Sequence, residues 1–346
     1  MKKIGVLVTG GAGYIGSHVV VELIEEGFGV VILDNFENAE SDVPQRLERI
    51  VGDEIRVVRG DVRNGTLVAE TLKKSGIDIV VHLAGKKAVG ESFSKPLDYY
   101  DANVGGAISL LEAMQSSNKP ALVFSSSATV YAPSDRMLLS ESADLGPINP
   151  YGRSKLMIEE IVSDAVISGD LTSAITLRYF NPVGAHPSAM IGEQPSNASN
   201  NLFPFIAQTA AGWRERVRVF GDDYPTPDGT GVRDYIHVVD LARGHVAAIR
   251  HLMGRSPQGK HSKVNLGTGT GYSVKEAIDA FSQACGFEVP HDIVGRRPGD
   301  VSTCVADPRL AAETLGWRAE MSLERMCCDH WAFQRTLRDR RPDDRV

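Results

Sequence analysis

The chain has 346 residues, 42% of them hydrophobic and 23% charged, with a formal net charge of −7 and a pI near 5.8. That is the balance of an ordinary globular chain and gives no support for a nucleic-acid or membrane-surface partner. The length leaves room for two domains, or for one large α/β unit with an insertion. No stretch approaches the roughly 18 apolar residues of a membrane span.

In chain order, the apolar run after Met1-Lys2-Lys3 breaks at Thr9-Gly10-Gly11, too soon for a signal peptide, and reads as a first strand. Strands are expected at Ile4–Thr9, Val30–Asp34, Ile55–Arg59, Ile77–Leu83, Leu122–Ser126 and Ala174–Tyr179, each a near-continuous apolar run suited to burial on both faces. Between them lie helical patterns at Ser17–Glu26, Tyr99–Ser116 and Tyr151–Ser168. This alternation predicts an α/β fold with a Rossmann-type doubly wound parallel sheet. After Asn181, Pro, Gly, Asn and Asp accumulate and loops dominate, until a regular helix over Val238–Leu252 rejoins the first domain. The expected division is residues 1–180 plus 236–262 for a dinucleotide domain, and 181–235 plus 263–335 for a smaller C-terminal α/β substrate lobe. Residues 336–346, dense in Arg and Asp, are expected to form a disordered tail. The four cysteines, Cys285, Cys304, Cys327 and Cys328, lack metal spacing. They are expected as free thiols in a reducing cytoplasm, with no metal bound.

The segment Thr9-Gly10-Gly11-Ala12-Gly13-Tyr14-Ile15-Gly16 follows the first strand and opens a helix. Glycines at Gly10, Gly13 and Gly16 permit a tight turn, close approach to a pyrophosphate and close helix–sheet packing, with the helix N-terminus facing the phosphates. A lone glycine-rich loop is a weak signal, but here the second strand also ends in an acid, Asp34. A carboxylate there accepts from ribose hydroxyls and repels a 2′-phosphate. No Lys or Arg lies between Asp34 and Gln45, so the expected cofactor is NAD rather than NADP. Farther on, Asn149-Pro150-Tyr151-Gly152-Arg153-Ser154-Lys155 sets a phenol and an ammonium on one helix face. A phenol with its usual pKa of about 10 becomes a working base if a nearby cation favours the phenolate. The pair alone fits any surface helix; with the glycine turn it describes a nicotinamide enzyme.

The Gly-x-x-Gly-x-x-Gly spacing, with Ser127 upstream of Tyr151-x-x-x-Lys155, resembles the extended short-chain dehydrogenase/reductase family. Longer strings resemble its nucleotide-sugar epimerase branch. They are Val8–His18, Lys87-Ala88-Val89-Gly90-Glu91-Ser92, Phe124–Tyr131, Arg178–Pro187, Asp228–His237 and Arg296-Arg297-Pro298-Gly299-Asp300, spread over roughly the first 330 residues. The departures are Tyr131-Ala132-Pro133 where Tyr-Gly is usual, a second lysine in Gly85-Lys86-Lys87, and a loop near Asp135–Leu139 one residue shorter.

The resemblance implies NAD held as a prosthetic group, a homodimer and a UDP-hexose substrate. It implies that UDP-galactose and UDP-glucose interconvert through a 4-keto sugar, with Tyr151 as base, Ser127 as proton relay and Lys155 assisting Tyr151. By the same likeness Gly10, Gly13, Tyr14, Ile15, Gly16, Asp34, Asn35, Asp61, Val62, Leu83, Ala84, Gly85, Lys87, Asn103 and Phe180 line the NAD pocket, together with Ser127, Tyr151 and Lys155. Asn181, Asn201, Leu202, Arg218, Val219, Phe220, Arg233, Tyr235, Arg297 and Asp300 hold the nucleotide, again with Ser127 and Tyr151. Taken singly, Lys87 reads as a solvated loop lysine, Asn103 as a helix residue and Arg233 as a surface arginine. Cys304 by itself is a small core residue. By resemblance it lies beside the hexose C2 substituent, where a small side chain also admits UDP-N-acetylglucosamine and UDP-N-acetylgalactosamine. Two rival readings are a nucleotide-sugar 4,6-dehydratase, which carries Asp-Glu where this chain has Ala128-Thr129, and a non-catalytic NAD-binding regulator.

Overall fold

Val6, Leu7 and Val8 are completely buried, and the strand they form is an inner strand of the large sheet. The computed structural model describes residues 3–117, 119–134, 137–194, 201–254, 259–297 and 299–340. The first half runs β1 (Gly5–Thr9), α1 (Tyr14–Glu25), β2 (Gly29–Asp34), α2 (Val43–Val51), β3 (Arg56–Arg59), α3 (Gly65–Ser75) and β4 (Ile77–His82). There follow α4 (Val89–Ser94), α5 (Pro96–Tyr99), a π-helical turn (Tyr100–Gly105), α6 (Gly106–Gln115), β5 (Ala121–Ser127), α7 (Pro150–Ile167) and β6 (Ala174–Tyr179). The second half contains β7 (Asn181–Val183), α8 (Leu202–Ala210), β8 (Val217–Phe220), β9 (Val232–Arg233), β10 (Tyr235–His237), α9 (Val238–Met253) and β11 (His261–Leu266). It closes with β12 (Tyr272–Ser273), α10 (Val274–Cys285), β13 (His291–Val294), β14 (Thr303–Cys304), α11 (Arg309–Leu315) and α12 (Leu323–Arg340).

The central sheet is parallel, in the order β11-β6-β5-β4-β1-β2-β3. Strand order reverses between β1 and β4, which opens a crevice at the carboxyl ends of the strands where ligands of such sheets bind. One core packs α1 and α9 on one face through Val19, Leu23, Leu241 and Ile249. The other face carries α3, α6 and α7 through Leu72, Leu110, Ile158 and Val162. The smaller lobe has its own core of Phe203, Phe281, Met326 and Cys327, with the parallel pair β8–β13 and the three-stranded β12-β9-β14.

Six of the seven central strands lie where the apolar runs predict them. The seventh, β11, is His-Ser-Lys-Val-Asn-Leu, half-buried in its first three residues, so an edge strand of this composition leaves no continuous run to find. It crosses the expected boundary at 262/263, and its pairing with β6 joins residues 263–266 to the large sheet. The helix expected over Tyr99–Ser116 is interrupted by the π-helical turn before α6. The C-terminal helix α12 continues to Arg340, so 336–340 are helical where a tail was expected, while 341–346 lie outside the described residues. Among the described residues no helix is long and apolar enough to cross a membrane.

Candidate active site

Asn149 caps α7 by accepting from the Gly152 amide at 2.7 Å, with Pro150 in the first turn. A Cβ on Gly152 would sit 2.5 Å from the Thr129 carbonyl oxygen, so this glycine lets α7 begin directly against the chain leaving β5. That contact sets Tyr151 beside Ser127, the last residue of β5. The Ser127 side chain lies near enough to the Tyr151 phenol to lower its pKa, and its hydroxyl accepts from the Thr129 amide at 3.2 Å and the Thr129 hydroxyl at 3.0 Å. One turn along, the buried Lys155 Nζ donates to the Ser125 carbonyl at 2.8 Å and lies 5.9 Å from the Tyr151 ring centre.

Burial pushes the Tyr151 phenol above its ordinary pKa, and the Ser127 hydrogen bond partly offsets this. Burial pulls the Lys155 ammonium down to about 8, with Glu159 opposing. The spacing argument expected the lysine cation to bring the phenol down. In the chain alone desolvation dominates: burial is the larger influence on the phenol, and Ser127, not Lys155, is what opposes it.

The glycine turn fits a dinucleotide. Gly10 has φ +71° and presses on Leu83 and Ala84 of the strand β4 exit, and a Cβ on Gly16 would meet the Gly10 carbonyl at 2.1 Å. Around Gly13 a Cβ would meet only that carbonyl, at 3.2 Å, so the outer side of the turn stays open. Helix α1 has no side-chain cap and no acid in its first turn, which leaves its amides and its dipole to an anion. Asp34 accepts from the Ala12 amide at 3.0 Å and the Phe36 amide at 2.8 Å, and further lone pairs remain for ribose hydroxyls. Arg46, the first cation past the stretch read for NADP, is held by Glu40 and Asp42. Sequence reading missed Arg59, which lies opposite Asp34 in the β2–β3 register with its guanidinium 5.3 Å from the Phe36 ring.

Other expected cofactor positions gather at the same end of the sheet but spend their polar groups on the protein. Asp61 pairs with Arg63 at 2.7 Å, a bond that holds its carboxyl near 2, and also accepts from Asn35 at 3.3 Å. Asn103, 1% exposed, binds both backbone groups of Lys86 and the Ser154 hydroxyl, pinning the loop after β4 to the helix of Tyr151. Its carboxamide oxygen would lie 2.8 Å from a Cβ on Gly85, at φ +153°. Lys87 pairs with Glu193 at 2.8 Å. Val62 and Phe180 are buried in two separate core clusters.

On the substrate side, Asn181 begins β7 and its amide donates to the Asp234 carbonyl at 3.0 Å. Arg233 and Cys304 are direct partners in the β9–β14 pair. Arg297 pairs with Asp300 at 3.0 Å and stacks over Phe220 at 4.5 Å. Arg218 is exposed on β8, whereas Val219 points into the core, so only its backbone can reach a ligand. Tyr235 packs against Phe203 at 5.1 Å. Leu202 opens α8 beside Asn201, whose amide donates to Glu193 at 3.0 Å. Cys304 packs against the core cluster that holds Val130, Tyr131, Phe180 and Ala306, and burial pushes its thiol up to about 11, so it is a neutral side chain rather than a nucleophile. Glu193 lacked any signal in the sequence, since its contact with Lys87 is made across the fold.

Residues 6–267 match the family described as NAD dependent epimerase/dehydratase. The chain is 48% identical over 329 residues to UDP-glucose 4-epimerase of Bacillus subtilis, covering 95% of this chain and 96% of that one. It is similar to the crystal structure of UDP-glucose-4-epimerase from Stenotrophomonas maltophila with bound NAD and formylated UDP-arabinopyranose. There the TM-score is 0.94 and the identity 49%, over 97% of this chain and 99% of that one. A second structure, UDP-glucose 4-epimerase from Bifidobacterium longum in complex with NAD+ and UDP, gives a TM-score of 0.91 at 45% identity, over 96% and 98%.

Proposed function

The chain belongs to the NAD dependent epimerase/dehydratase family, and from that premise we infer an NAD-dependent enzyme that interconverts UDP-galactose and UDP-glucose at sugar C4. The observation that carries the reading is the juxtaposition of Ser127, Tyr151 and Lys155 at the end of β5, beside the glycine cradle that fits NAD. When bound, NAD supplies a reversible hydride acceptor for C4. Tyr151 takes the proton from the 4-hydroxyl and returns it, and Ser127 bridges phenol and sugar oxygen. Lys155 keeps a positive charge on the Tyr151 side of the site. Such proton transfer contributes ~10²–10⁴-fold in rate. Arg233, Arg297 and Asp300 grip the nucleotide, so the hexose can turn and offer its other face. Binding energy far from C4 thus does the positioning.

Ala128 speaks against the dehydratase, which needs an acid or base where this side chain has neither. A regulator has no use for a Tyr–Lys–Ser set with its lysine buried. Incubation with UDP-galactose and no added NAD tests the reading. UDP-glucose is expected from the native protein, and ~10²–10⁴-fold less from Tyr151→Phe, with NAD still bound. No product from the native protein, or undiminished turnover in the variant, sinks the reading.

The small, neutral Cys304 leaves space beside the hexose and supports a second activity on UDP-N-acetylglucosamine and UDP-N-acetylgalactosamine. Ile108 and Met157, 42% and 46% exposed on α6 and α7, support a homodimer through those helices. Light scattering at twice the 37.4 kDa chain mass is the expected reading. The four cysteines are free, which supports a reducing, cytoplasmic setting.

A further inference from the structure

Glu193 is 3% exposed and has no part in the chemistry above. It lies in a segment after β7 that reaches back over the cofactor end of the large sheet. Tyr14 of α1 donates its hydroxyl to the Gly184 carbonyl at 2.8 Å, and Gln194 donates to Glu40, beyond β2, at 2.7 Å. Between these two anchors, Glu193 Oε1 accepts from Lys87 Nζ at 2.8 Å and from Asn201 Nδ2 at 3.0 Å. Its other oxygen, Oε2, is buried and has no partner among the described residues. A carboxylate so far out of water is costly unless paired, so its location rests on the two donors. Lys87 belongs to the cofactor half of the site and Asn201 to the substrate half.

We propose that Glu193 is a positioning residue that couples the two halves, its carboxylate holding Lys87 for the cofactor pyrophosphate and Asn201 for the substrate diphosphate. The inference rests on the nucleotide-sugar reading above. An ammonium has three N–H donors and an amide two, so each can serve Glu193 and a phosphate oxygen together. A diphosphate that orders Asn201 thereby orders Glu193, and Glu193 in turn orders Lys87, whose exposed side chain has besides this ion pair the Tyr14 ring 5.7 Å from its Nζ. Each ligand then strengthens the hold on the other, and the effect is reciprocal.

The test uses the protein with its own NAD. Released NAD is trapped by an alcohol dehydrogenase with ethanol and read as NADH absorbance, with and without saturating UDP. In the native protein UDP is expected to slow NAD release about tenfold, within the ordinary range of coupling between sites. In Glu193→Gln, and in Glu193→Ala should the amide variant fold poorly, the ratio of the two rates is expected to fall towards one. A variant that merely loosens the fold releases NAD faster in both conditions and keeps the ratio. An unchanged ratio in the folded variants overturns the proposal. So does a native protein that binds UDP by calorimetry yet releases NAD at the same rate with it. Failure to bind UDP or NAD at all overturns the nucleotide-sugar reading itself, and this inference with it.

Discussion

At the scale of single residues, burial drives Tyr151 and Lys155 in opposite directions, the phenol up and the ammonium down to about 8. Above that pH the lysine loses the charge that favours phenolate, so activity should fall on the alkaline side. The folded pKa of Lys155 lies below its unfolded value of about 10.5, so between the two the unfolded chain binds more protons and stability rises with pH. Lys155→Met should flatten that rise and move the activity optimum to higher pH, because nothing cationic then favours the phenolate. A pH–rate profile and urea midpoints across that window check both; unmoved curves would leave Lys155 a packing role. Asp34 makes a second prediction. A carboxylate at the end of the second strand repels a 2′-phosphate, and the cation of Arg59 lies opposite it in the β2–β3 register. Asp34→Ala should therefore shift the NAD:NADP binding ratio towards NADP, as measured by calorimetry on protein freed of cofactor.

Among the elements, the contact of α7 with the end of β5 decides whether the chemistry is assembled. Gly152 allows it: an added Cβ would sit 2.5 Å from the Thr129 carbonyl and 2.9 Å from Pro147 Cβ, and backbone cannot yield as a side-chain tip does. Gly152→Ala should push the helix off the strand and part Tyr151 from Ser127. A displacement of about 1 Å costs ~10²-fold in rate, and overpacking costs ~1–3 kcal/mol. Turnover with UDP-galactose and a denaturant melt read the two losses separately. The same helix is anchored lower down by a buried pair, Glu159 with Arg178 at 2.6 Å, supported by Ser126 at 2.6 Å. Removing one member of such a pair typically costs ~3–5 kcal/mol.

Across the whole molecule, the site exists because the smaller lobe folds back over the crevice of the large sheet. Strand β14 pairs with β9 and sets Cys304 against Arg233, while Leu139 and Ala306 bridge the lobe to the loop after β5. Cys304→Tyr should fill the space beside the hexose and abolish conversion of the N-acetyl sugars while sparing UDP-galactose. Product chromatography with both substrates checks it. A native protein that equilibrates UDP-galactose and yields no N-acetyl product refutes this role for Cys304.

The sequence by itself determined the parallel sheet, its first six strands, the glycine turn and the Tyr151–Lys155 helix. Strands buried on both faces are written as apolar runs, and the chemistry of a turn or a helix face lies within a few neighbouring residues. Only the tertiary structure decided that β11 belongs to the large sheet, since an edge strand needs no apolar run. It likewise decided that Asn103 and Asp61 are tied up by the protein, that Arg59 faces Asp34, and that Glu193 stands between Lys87 and Asn201. These are contacts between residues far apart in the chain, and no local pattern encodes the partner of a charge across a fold.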